Sequence, residues 1–256
     1  MSNQSTITVK KPVGKTPLEM IELLRKKIPS LEEERLGYAG RLDPMADGLL
    51  LILAGTANNE RKQLERLPKK YLCQALFGLE TDSYDILGLF TQPFSDKTCS
   101  KEVLEKILKS YVGKQIQPYP PYSSPRVNGH PLFWWAREGR LHEITIPEKE
   151  IDIYSIQLRS LKKIDLPELK KEVLKRLLTV SGTFRQEEII EQWNFFFQNH
   201  TRPVIAAELE VSCSSGTYIR SLIQKIGKNV GSGALALSIT RTSIGSYSLK
   251  DAISLD

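Results

Sequence analysis

The stretch from Leu36 to Leu51 carries an aspartate, Asp43, in a setting that suits chemistry. Proline at the next position fixes its own φ and keeps Asp43 out of the helical region, so Asp43 is expected on a rigid, extended turn. The apolar run from Leu49 to Leu53 is expected to anchor that turn in a core. A carboxylate at the edge of a rigid element can act as a nucleophile, an acid or a base. Aspartate is also a common turn residue, and spacing alone favours that structural role.

A second candidate region, residues 115–140, combines prolines, aromatic side chains and arginines around the hairpin turn signal Asn128-Gly129. Aromatic rings beside arginines suit contacts with RNA phosphates and unstacked bases. A hydrophobic hairpin folded onto the core explains the same pattern, and the two interpretations are compatible. The side chains concerned are Arg126, Arg137, Arg140, Trp134 and Trp135.

The composition favours a basic globular protein. The chain has 256 residues, a formal net charge of +6 and a pI near 9.1. A surplus of lysine and arginine favours polyanionic partners, nucleic acid first. The three cysteines are far apart and odd in number, which excludes a disulfide framework, and the histidines show no ligand spacing. Because no signal peptide or membrane-length apolar run is present, we expect a soluble cytoplasmic protein.

Periodicity predicts an α+β fold, a mainly antiparallel mixed sheet flanked by helices and loops, without regular βαβ alternation. Thr16 is predicted to cap a first helix, with Pro17 at its first position and Glu19 closing a capping box. Strands are predicted at 71–78, 151–158 and 206–213, with a last strand near 244–249. Further helices are predicted after Ser100 and from Tyr218. Residues 161–202 carry two helical patterns and are predicted to form an inserted helical hairpin.

Motifs along nearly the whole chain resemble the TruB family of RNA pseudouridine synthases, in the family's order. The matching segments are Lys11-Pro12-x-Gly14-x-Thr16; Gly37-Tyr38-Ala39-Gly40-Arg41-Leu42-Asp43-Pro44-x-Ala46-x-Gly48; Lys70-Tyr71; Gly78-x-x-Thr81-Asp82-Ser83-x-Asp85-x-x-Gly88; Pro120-Pro121-Tyr122-Ser123; Val127-Asn128-Gly129; and Ser215-Gly216-Thr217-Tyr218-Ile219-Arg220. These segments form five motifs, because Lys70-Tyr71 is grouped with the segment from Gly78 to Gly88, and Pro120–Ser123 with Val127–Gly129. The Asp-Pro motif alone is moderately specific, whereas five ordered motifs make a chance similarity improbable. The resemblance implies the pseudouridine synthase fold.

The resemblance also implies a reaction and three catalytic residues. Asp43 matches the aspartate that attacks the target nucleotide, so that the glycosidic bond breaks and the uracil rejoins the ribose through carbon. Tyr71 matches the tyrosine that stacks on the uracil and takes part in proton transfer, and Arg220 matches the arginine that pairs with the aspartate. Physical chemistry agrees, because a neighbouring guanidinium keeps a nucleophilic carboxylate ionised.

Substrate-binding residues are implied in the same way. Tyr218 matches a second tyrosine of the pocket, and Ile239 fills an apolar uracil-contact position where leucine is usual. Substrate binding is also assigned to Lys11 of the Lys-Pro motif and to Arg126 of the hairpin. The same role is assigned to the two residues that depart from the family motif. These are Tyr38, which replaces the usual histidine that helps to hold the flipped tRNA loop, and Arg41, which replaces the usual threonine.

For the whole chain, the resemblance implies a monomer that acts on RNA, most plausibly on uridine 55 of the tRNA T-loop, without a metal or cofactor. Residues 1–256 are expected to form one catalytic domain with the insertion at 161–202 and without a separate C-terminal RNA-binding domain. An RNA-binding or tRNA-folding protein with weak or lost catalysis is the alternative, motivated by Tyr38 and Arg41. A glycoside hydrolase fits poorly, because no second carboxylate has the required spacing, although Asp47 lies nearby.

Overall fold

The computed structural model describes residues 5–97, 100–182 and 184–255. The strands are β1 (Ser5–Lys11), β2 (Leu36–Ala39), β3 (Ala46–Ala54), β4 (Lys69–Phe77), β5 (Gly113–Pro118), β6 (Arg126–Val127), β7 (His130–Pro131), β8 (Glu148–Ile164), β9 (Val204–Cys213), β10 (Ala234–Ile244), β11 (Tyr247–Ser248) and β12 (Ile253–Ser254). The helices are α1 (Pro17–Lys27), α2 (Arg61–Arg66), α3 (Lys101–Lys109), α4 (Leu132–Arg137), α5 (Leu166–Thr179), α6 (Gln186–Asn199) and α7 (Ile219–Val230).

Ten of these strands form one sheet in the order β12-β1-β3-β10-β4-β9-β8-β5, with β2 paired to β3 and β11 paired to β10. The pairs β1–β12 and β3–β10 are parallel and the other pairs are antiparallel. Strands β6 and β7 form a separate small hairpin. The predicted mixed, mainly antiparallel α+β fold is therefore confirmed. The predicted last strand at 244–249 is interrupted by a turn at Gly245, where φ is +54°.

Side chains of the central strands alternate between two apolar clusters, as the period of two requires. On β4, Tyr71, Cys73 and Ala75 face the cluster that α3 and α7 cover, whereas Leu76 faces the cluster that α5 and α6 cover. The thiols of Cys73 and Cys213 are free and buried, and Cys99 lies outside the described residues. The sheet is therefore covered on both faces at its centre, which is where β3, β4 and β10 meet.

Local sequence explains the helix ends. At α1, the Thr16 side chain accepts from the Glu19 amide while the Glu19 carboxylate accepts from the Thr16 amide, so the predicted capping box is confirmed. Helix α3 is capped by Ser100 as expected. Leu104 and Leu108 of this helix are buried, whereas Val103 is half-exposed.

The predicted helical hairpin is present, with a shorter extent than 161–202. Strand β8 continues to Ile164, which pairs with Val204 at the start of β9, so the helical hairpin occupies residues 165–203. Residues 161–164 belong to the strand because β9 offers partners along their whole length.

Candidate active site

The loop between β2 and β3 places Asp43 at the centre of the sheet. Its ends are held by main-chain hydrogen bonds, from the Ala46 amide to the Asp43 carbonyl at 3.0 Å and from the Gly14 amide to the Pro44 carbonyl at 2.9 Å. The following residues, Leu49–Ala54, are completely buried. The Asp43 side chain remains 36% exposed. The expectation of a rigid turn anchored by an apolar strand is confirmed, and its carboxylate is open to a ligand.

Arg220, at the start of α7, is the direct partner of Asp43. Its Nε donates to Asp43 Oδ2 at 2.7 Å, while Nη1 and Nη2 donate to the carbonyls of Ser83 at 2.5 Å and Tyr122 at 3.2 Å. Only 3% of the side chain is exposed, although it lies off the apolar face of α7. Two carbonyls and a carboxylate replace the water that this guanidinium loses on burial.

Asp85 completes an ionic triad that the sequence reasoning did not identify. Its Oδ2 lies 3.6 Å from Arg220 Nε, and its Oδ1 accepts from the Ser83 hydroxyl at 2.6 Å and the Leu87 amide at 3.0 Å. Burial raises the pKa of Asp85, and the Arg220 charge opposes that rise. Although burial alone lowers the pKa of Arg220, the two carboxylates raise it overall. The triad therefore keeps a permanent positive charge beside the Asp43 carboxylate.

Tyr71 is buried on β4 directly opposite Arg241 on β10. Burial raises the pKa of Tyr71 to about 12, with the Arg241 charge opposing the rise, so the phenol keeps its proton at neutral pH. Arg241 in turn donates to the carbonyls of Leu49 at 2.8 Å and of Arg41 and Gly40 at 3.2 Å each. This buried arginine, which the sequence reasoning also missed as a site residue, ties the Asp43 loop to the tyrosine strand.

Lys69 is a second buried cation near Arg241, and it gives a test of the packing here. Its Nζ donates to the Glu65 carbonyl at 2.5 Å and the Leu67 carbonyl at 2.7 Å, which lie at the end of α2. Burial, aided by the Arg241 charge, lowers the pKa of Lys69 to about 8 from its ordinary 10.5.

Because the unfolded chain binds more protons than the folded one between pH 8 and pH 10.5, this lysine makes stability rise with pH across that window. We expect the free energy of unfolding of the wild type to rise relative to Lys69→Met by roughly 1.4 kcal/mol per pH unit in the window. Urea unfolding at pH 7.5 and pH 10 measures the difference. A constant difference between the two proteins would contradict the lowered pKa.

Lys11 lies beneath the Asp43 loop. It is completely buried, and its Nζ donates to the carbonyls of Pro12 at 2.9 Å and Lys15 at 2.8 Å. Burial lowers the pKa of Lys11 to about 8, although the charges of Asp47 and Asp43 act to raise it. The sequence placed Lys11 among the substrate-binding residues, whereas its position supports the loop from inside the protein.

The cleft beside Asp43 is narrow and is lined by both members of its carboxylate–guanidinium pair together with the β10 residues 236–239. Ile239 lies on its wall, paired across the sheet with Ala46. Tyr218 occupies the N-cap position of α7, and its ring packs edge-to-face on Tyr119 with the ring centres 5.7 Å apart. The Gln117 side chain donates to the Tyr218 carbonyl and accepts from the Tyr218 amide. Burial raises the pKa of Tyr218 to about 12, so this second tyrosine is also neutral.

Two other predicted residues are exposed arginines. The exposed Arg41 donates to the Ser124 hydroxyl at 2.7 Å, which links the Asp43 loop to the segment before the β6–β7 hairpin. Arg126, on β6, donates to the Gly129 carbonyl at 2.6 Å across the predicted turn. Both guanidinium groups are available to solvent.

Tyr38 is separate from this group. It lies on β2 beside the apolar cluster under α1, and the Arg61 guanidinium lies over its ring at 5.3 Å. Within the described part of the chain, its ring contact is with α2 rather than with Asp43, Tyr71 or Arg220. Tyr38 therefore lies apart from the three catalytic residues, and its assignment to substrate binding stays a prediction.

The hairpin segment combines both interpretations of its sequence. Trp135 is buried, with its Nε1 donating to the Val127 carbonyl at 3.1 Å. Trp134 stacks on His130 at 4.0 Å and 19°, and the Arg140 guanidinium lies 5.6 Å from the Trp134 ring. Trp135 therefore holds α4 against the β6–β7 hairpin, while its neighbour Trp134 belongs to a partly exposed aromatic and basic surface.

Metal and membrane features add little. Among the described residues, no group of three or more histidine, cysteine, aspartate or glutamate side chains is placed to hold a metal ion. The helices in the described ranges lack the combination of length and hydropathy that a bilayer span requires.

Comparison with known proteins gives consistent relatives. The profile of the TruB family pseudouridylate synthase N-terminal domain matches residues 26–184. A tRNA pseudouridine synthase B from Lactobacillus delbrueckii subsp. bulgaricus is 30% identical over 98% of this chain and 71% of that protein. One from Thermosipho melanesiensis is also 30% identical, over 95% of this chain and 64% of that protein.

Among solved structures, the crystal structure of a Cbf5-Nop10-Gar1 complex matches with a TM-score of 0.59 and 19% identity over 98% of this chain. The chain spans about half the length of that solved chain, 52%, and the likeness supports the fold alone. The family profile covers more than half of the chain and contains Asp43, Tyr71 and Asp85. This chain therefore belongs to the TruB family of pseudouridylate synthases.

Proposed function

We propose that this protein converts a uridine of tRNA to pseudouridine, at position 55 of the T-loop, with Asp43 as the nucleophile. The observation that carries the proposal is the pairing of a solvent-accessible carboxylate with a buried guanidinium: Asp43 Oδ2 accepts from Arg220 Nε at 2.7 Å. An RNA-binding protein has no physical need to bury Arg220 between two carboxylates.

The chemistry follows from that pair. The ionised Asp43 carboxylate attacks the target nucleotide, and the bond between N1 of the base and C1′ of the ribose breaks. The uracil turns and C5 forms a bond to C1′, while the bond between Asp43 and the nucleotide breaks and its electron pair returns to the carboxylate. The proton of C5 is lost and N1 gains a proton. Reactant and product therefore have the same atoms and the same oxidation level.

The target base must leave its stack to reach Asp43, and aromatic faces commonly hold a flipped base. Tyr71 and Ile239 lie on neighbouring strands beside the Asp43 loop, and Tyr218 lies at the start of α7. We propose that these three side chains contact the uracil. Because Tyr71 keeps its proton at neutral pH, it serves as a proton donor or relay rather than as a resident phenolate.

Exposed basic and aromatic side chains suit contacts with the rest of the RNA. Arg41 and Arg126 are exposed, and Trp134 offers an aromatic surface beside Arg140. Phosphates and unstacked bases are held by such groups. The net charge of +6 supports the same kind of partner. We propose that the protein acts in the cytoplasm, as a monomer.

Incubation of the wild-type protein with a T-loop tRNA transcript, followed by chemical mapping of pseudouridine, tests the proposal. Pseudouridine at position 55 is expected, together with none in a matched transcript that carries cytidine there. A protein that binds the transcript without modifying it would instead favour the RNA-binding alternative.

The Tyr71 hydroxyl has its own test. We expect Tyr71→Phe to keep the fold and the aromatic face but to lower the single-turnover rate by about 10²-fold or more, the range of acid–base contributions. Rapid-quench measurement with saturating protein isolates that rate. Tyr154→Phe, at a half-exposed tyrosine of β8, is the control. An unchanged single-turnover rate in Tyr71→Phe would show that the Tyr71 hydroxyl takes no part in the proton transfer.

A further inference from the structure

The helical hairpin, residues 165–203, is larger than its connection requires. It joins β8 to β9, which are antiparallel neighbours paired as far as Ile164 and Val204. A loop of about two to five residues closes such a pair. The hairpin also buries large apolar side chains, including Trp193, against the same cluster that contains Met45, close to Asp43. Its contacts therefore indicate a role other than connection.

Helix α6 holds the loop that carries Asp85. Trp193 Nε1 donates to the Ile86 carbonyl at 3.2 Å, and the Gln192 side-chain oxygen accepts from the Phe90 amide at 2.8 Å. Trp193 itself is completely buried. The loop at 81–90 thus depends on the helical hairpin for two of its main-chain hydrogen bonds.

Arg185, which immediately precedes α6, makes the most direct contact with the site. Its Nη1 and Nη2 donate to the two oxygens of Asp82 at 2.9 Å and 3.3 Å. Its guanidinium also lies 4.9 Å from the centre of the Tyr122 ring, and the Tyr122 hydroxyl donates to Asp82 Oδ2 at 3.0 Å. One arginine of the helical hairpin therefore joins the 81–90 loop to the segment that contains Tyr122.

These two segments are the ones that hold Arg220. Ser83, next to Asp82, and Tyr122 each supply a carbonyl to the Arg220 guanidinium. Movement of either segment changes the direction in which Arg220 presents Nε to Asp43. Arg185 thus acts on Arg220 indirectly. It pairs with Asp82, and the neighbouring residue Ser83 supplies a carbonyl to the Arg220 guanidinium.

The same end of the helical hairpin, where α5 ends, also contacts the Asp43 side of the pair. A Cβ at Gly14 would lie 2.1 Å from the Thr179 carbonyl oxygen, so the end of α5 packs directly on that backbone. The Gly14 amide donates to the Pro44 carbonyl, beside Asp43. The helical hairpin therefore contacts both the Asp43 side and the Arg220 side of the site.

The backbone at Arg185 indicates that the side chain determines this geometry. Arg185 has φ +60° and ψ +32°, a left-handed conformation that is strained for a non-glycine residue. Glycine is the residue that this conformation favours. Arg185 nevertheless adopts this conformation, and its side-chain contacts with Asp82 and Tyr122 offset the backbone strain.

We propose that the helical hairpin is a positioning element of the active site and that Arg185 is a positioning residue for the reaction. It fixes Asp82 and Tyr122, which fix the carbonyl partners of Arg220 and so the orientation of the Asp43 carboxylate. This inference rests on the proposed pseudouridine synthase activity. It assigns the helical hairpin to catalysis rather than to RNA affinity.

The test compares Arg185→Gly, Arg185→Lys and the control Arg202→Ala, measured in the full chain. Arg185→Gly removes the side chain and relieves the backbone, so stability is expected to hold while the single-turnover rate at saturating protein falls about 10- to 100-fold. The transcript Kd is expected to stay within about three-fold of the wild type. Arg185→Lys, which keeps the charge without the two-pronged contact, is expected to restore part of the rate. Arg202 pairs with Asp96 at an exposed site beyond α6, and its replacement is expected to change neither quantity.

An RNA-binding role predicts the opposite pattern, with a weaker Kd, a smaller salt dependence of binding and an unchanged rate, and that result would overturn the inference. Tyr122→Phe provides a second variant, which retains the ring and main chain but loses the hydroxyl bond to Asp82. Its rate loss is expected to be smaller, and less than additive with Arg185→Gly; full additivity would contradict the inference. An inactive wild type would overturn the proposed function itself, whereas an active wild type with fully active Arg185 variants would overturn this inference alone.

Discussion

Replacement of Asp43 by alanine is expected to abolish pseudouridine formation, with a rate loss on the order of 10⁴-fold or more, because the reaction then lacks its nucleophile. Asp43→Asn is expected to be similarly inactive, since the amide keeps the shape of the side chain but cannot form the covalent bond. Affinity for tRNA is expected to stay within a few-fold. The removed group is an anion, so its loss costs no attraction to phosphate.

Single-turnover reaction with a T-loop transcript, combined with filter binding, measures both quantities. Asp251→Asn, at an exposed residue far along the sequence, is the matched carboxylate control and is expected to behave as wild type. Turnover by Asp43→Ala would exclude Asp43 as the nucleophile. A parallel loss of binding and rate would indicate that the variant disturbs the loop instead of the chemistry.

Arg220→Ala is expected to lose both activity and stability. The substitution leaves the buried Asp85 carboxylate without its cation and leaves the carbonyls of Ser83 and Tyr122 without their donor. Breaking a buried ion pair by removing one partner costs about 3–5 kcal/mol. Arg220→Lys keeps a charge but cannot reach three acceptors in one plane, so it is expected to recover stability more than rate.

Urea unfolding and single-turnover kinetics of the two Arg220 variants separate these effects. Arg159→Ala, in an exposed ion pair with Glu210, is the control and is expected to cost about 1 kcal/mol or less. Full activity in Arg220→Ala would show that the reaction does not need the guanidinium beside Asp43. Full recovery of the single-turnover rate in Arg220→Lys would show that Arg220 contributes only its positive charge beside Asp43.

The sequence could identify Asp43, Tyr71 and Arg220 because each stands in a short segment with a recognisable motif. Asp85 belongs to the recognised motif from Gly78 to Gly88. Its role could not be predicted, because it depends on a contact with Arg220, which is distant in sequence. Arg241 gave a weaker signal, because it is the single charged residue of β10, an otherwise uncharged strand. Such a charge indicates a buried polar contact, but the sequence does not tell which loop supplies the acceptors.

The helices and the hairpin turn were predictable from caps and periodicity, since these are local properties. The extent of β8 was not, because its polar outer residues resemble a loop until β5 and β9 supply partners. The surroundings of Tyr38 were not predictable for a related reason. A motif position gives neighbours along the chain, whereas the pairing of β2 on β3 decides which cluster the side chain joins.

The most direct test is to treat a tRNA pool that lacks its modifications with the wild-type protein and with Asp43→Ala, and to map pseudouridine at every position. We expect pseudouridine at position 55 after treatment with the wild type and none after treatment with the variant. Pseudouridine formed equally by both proteins, or formed by neither while the wild type binds the tRNA, would contradict this expectation.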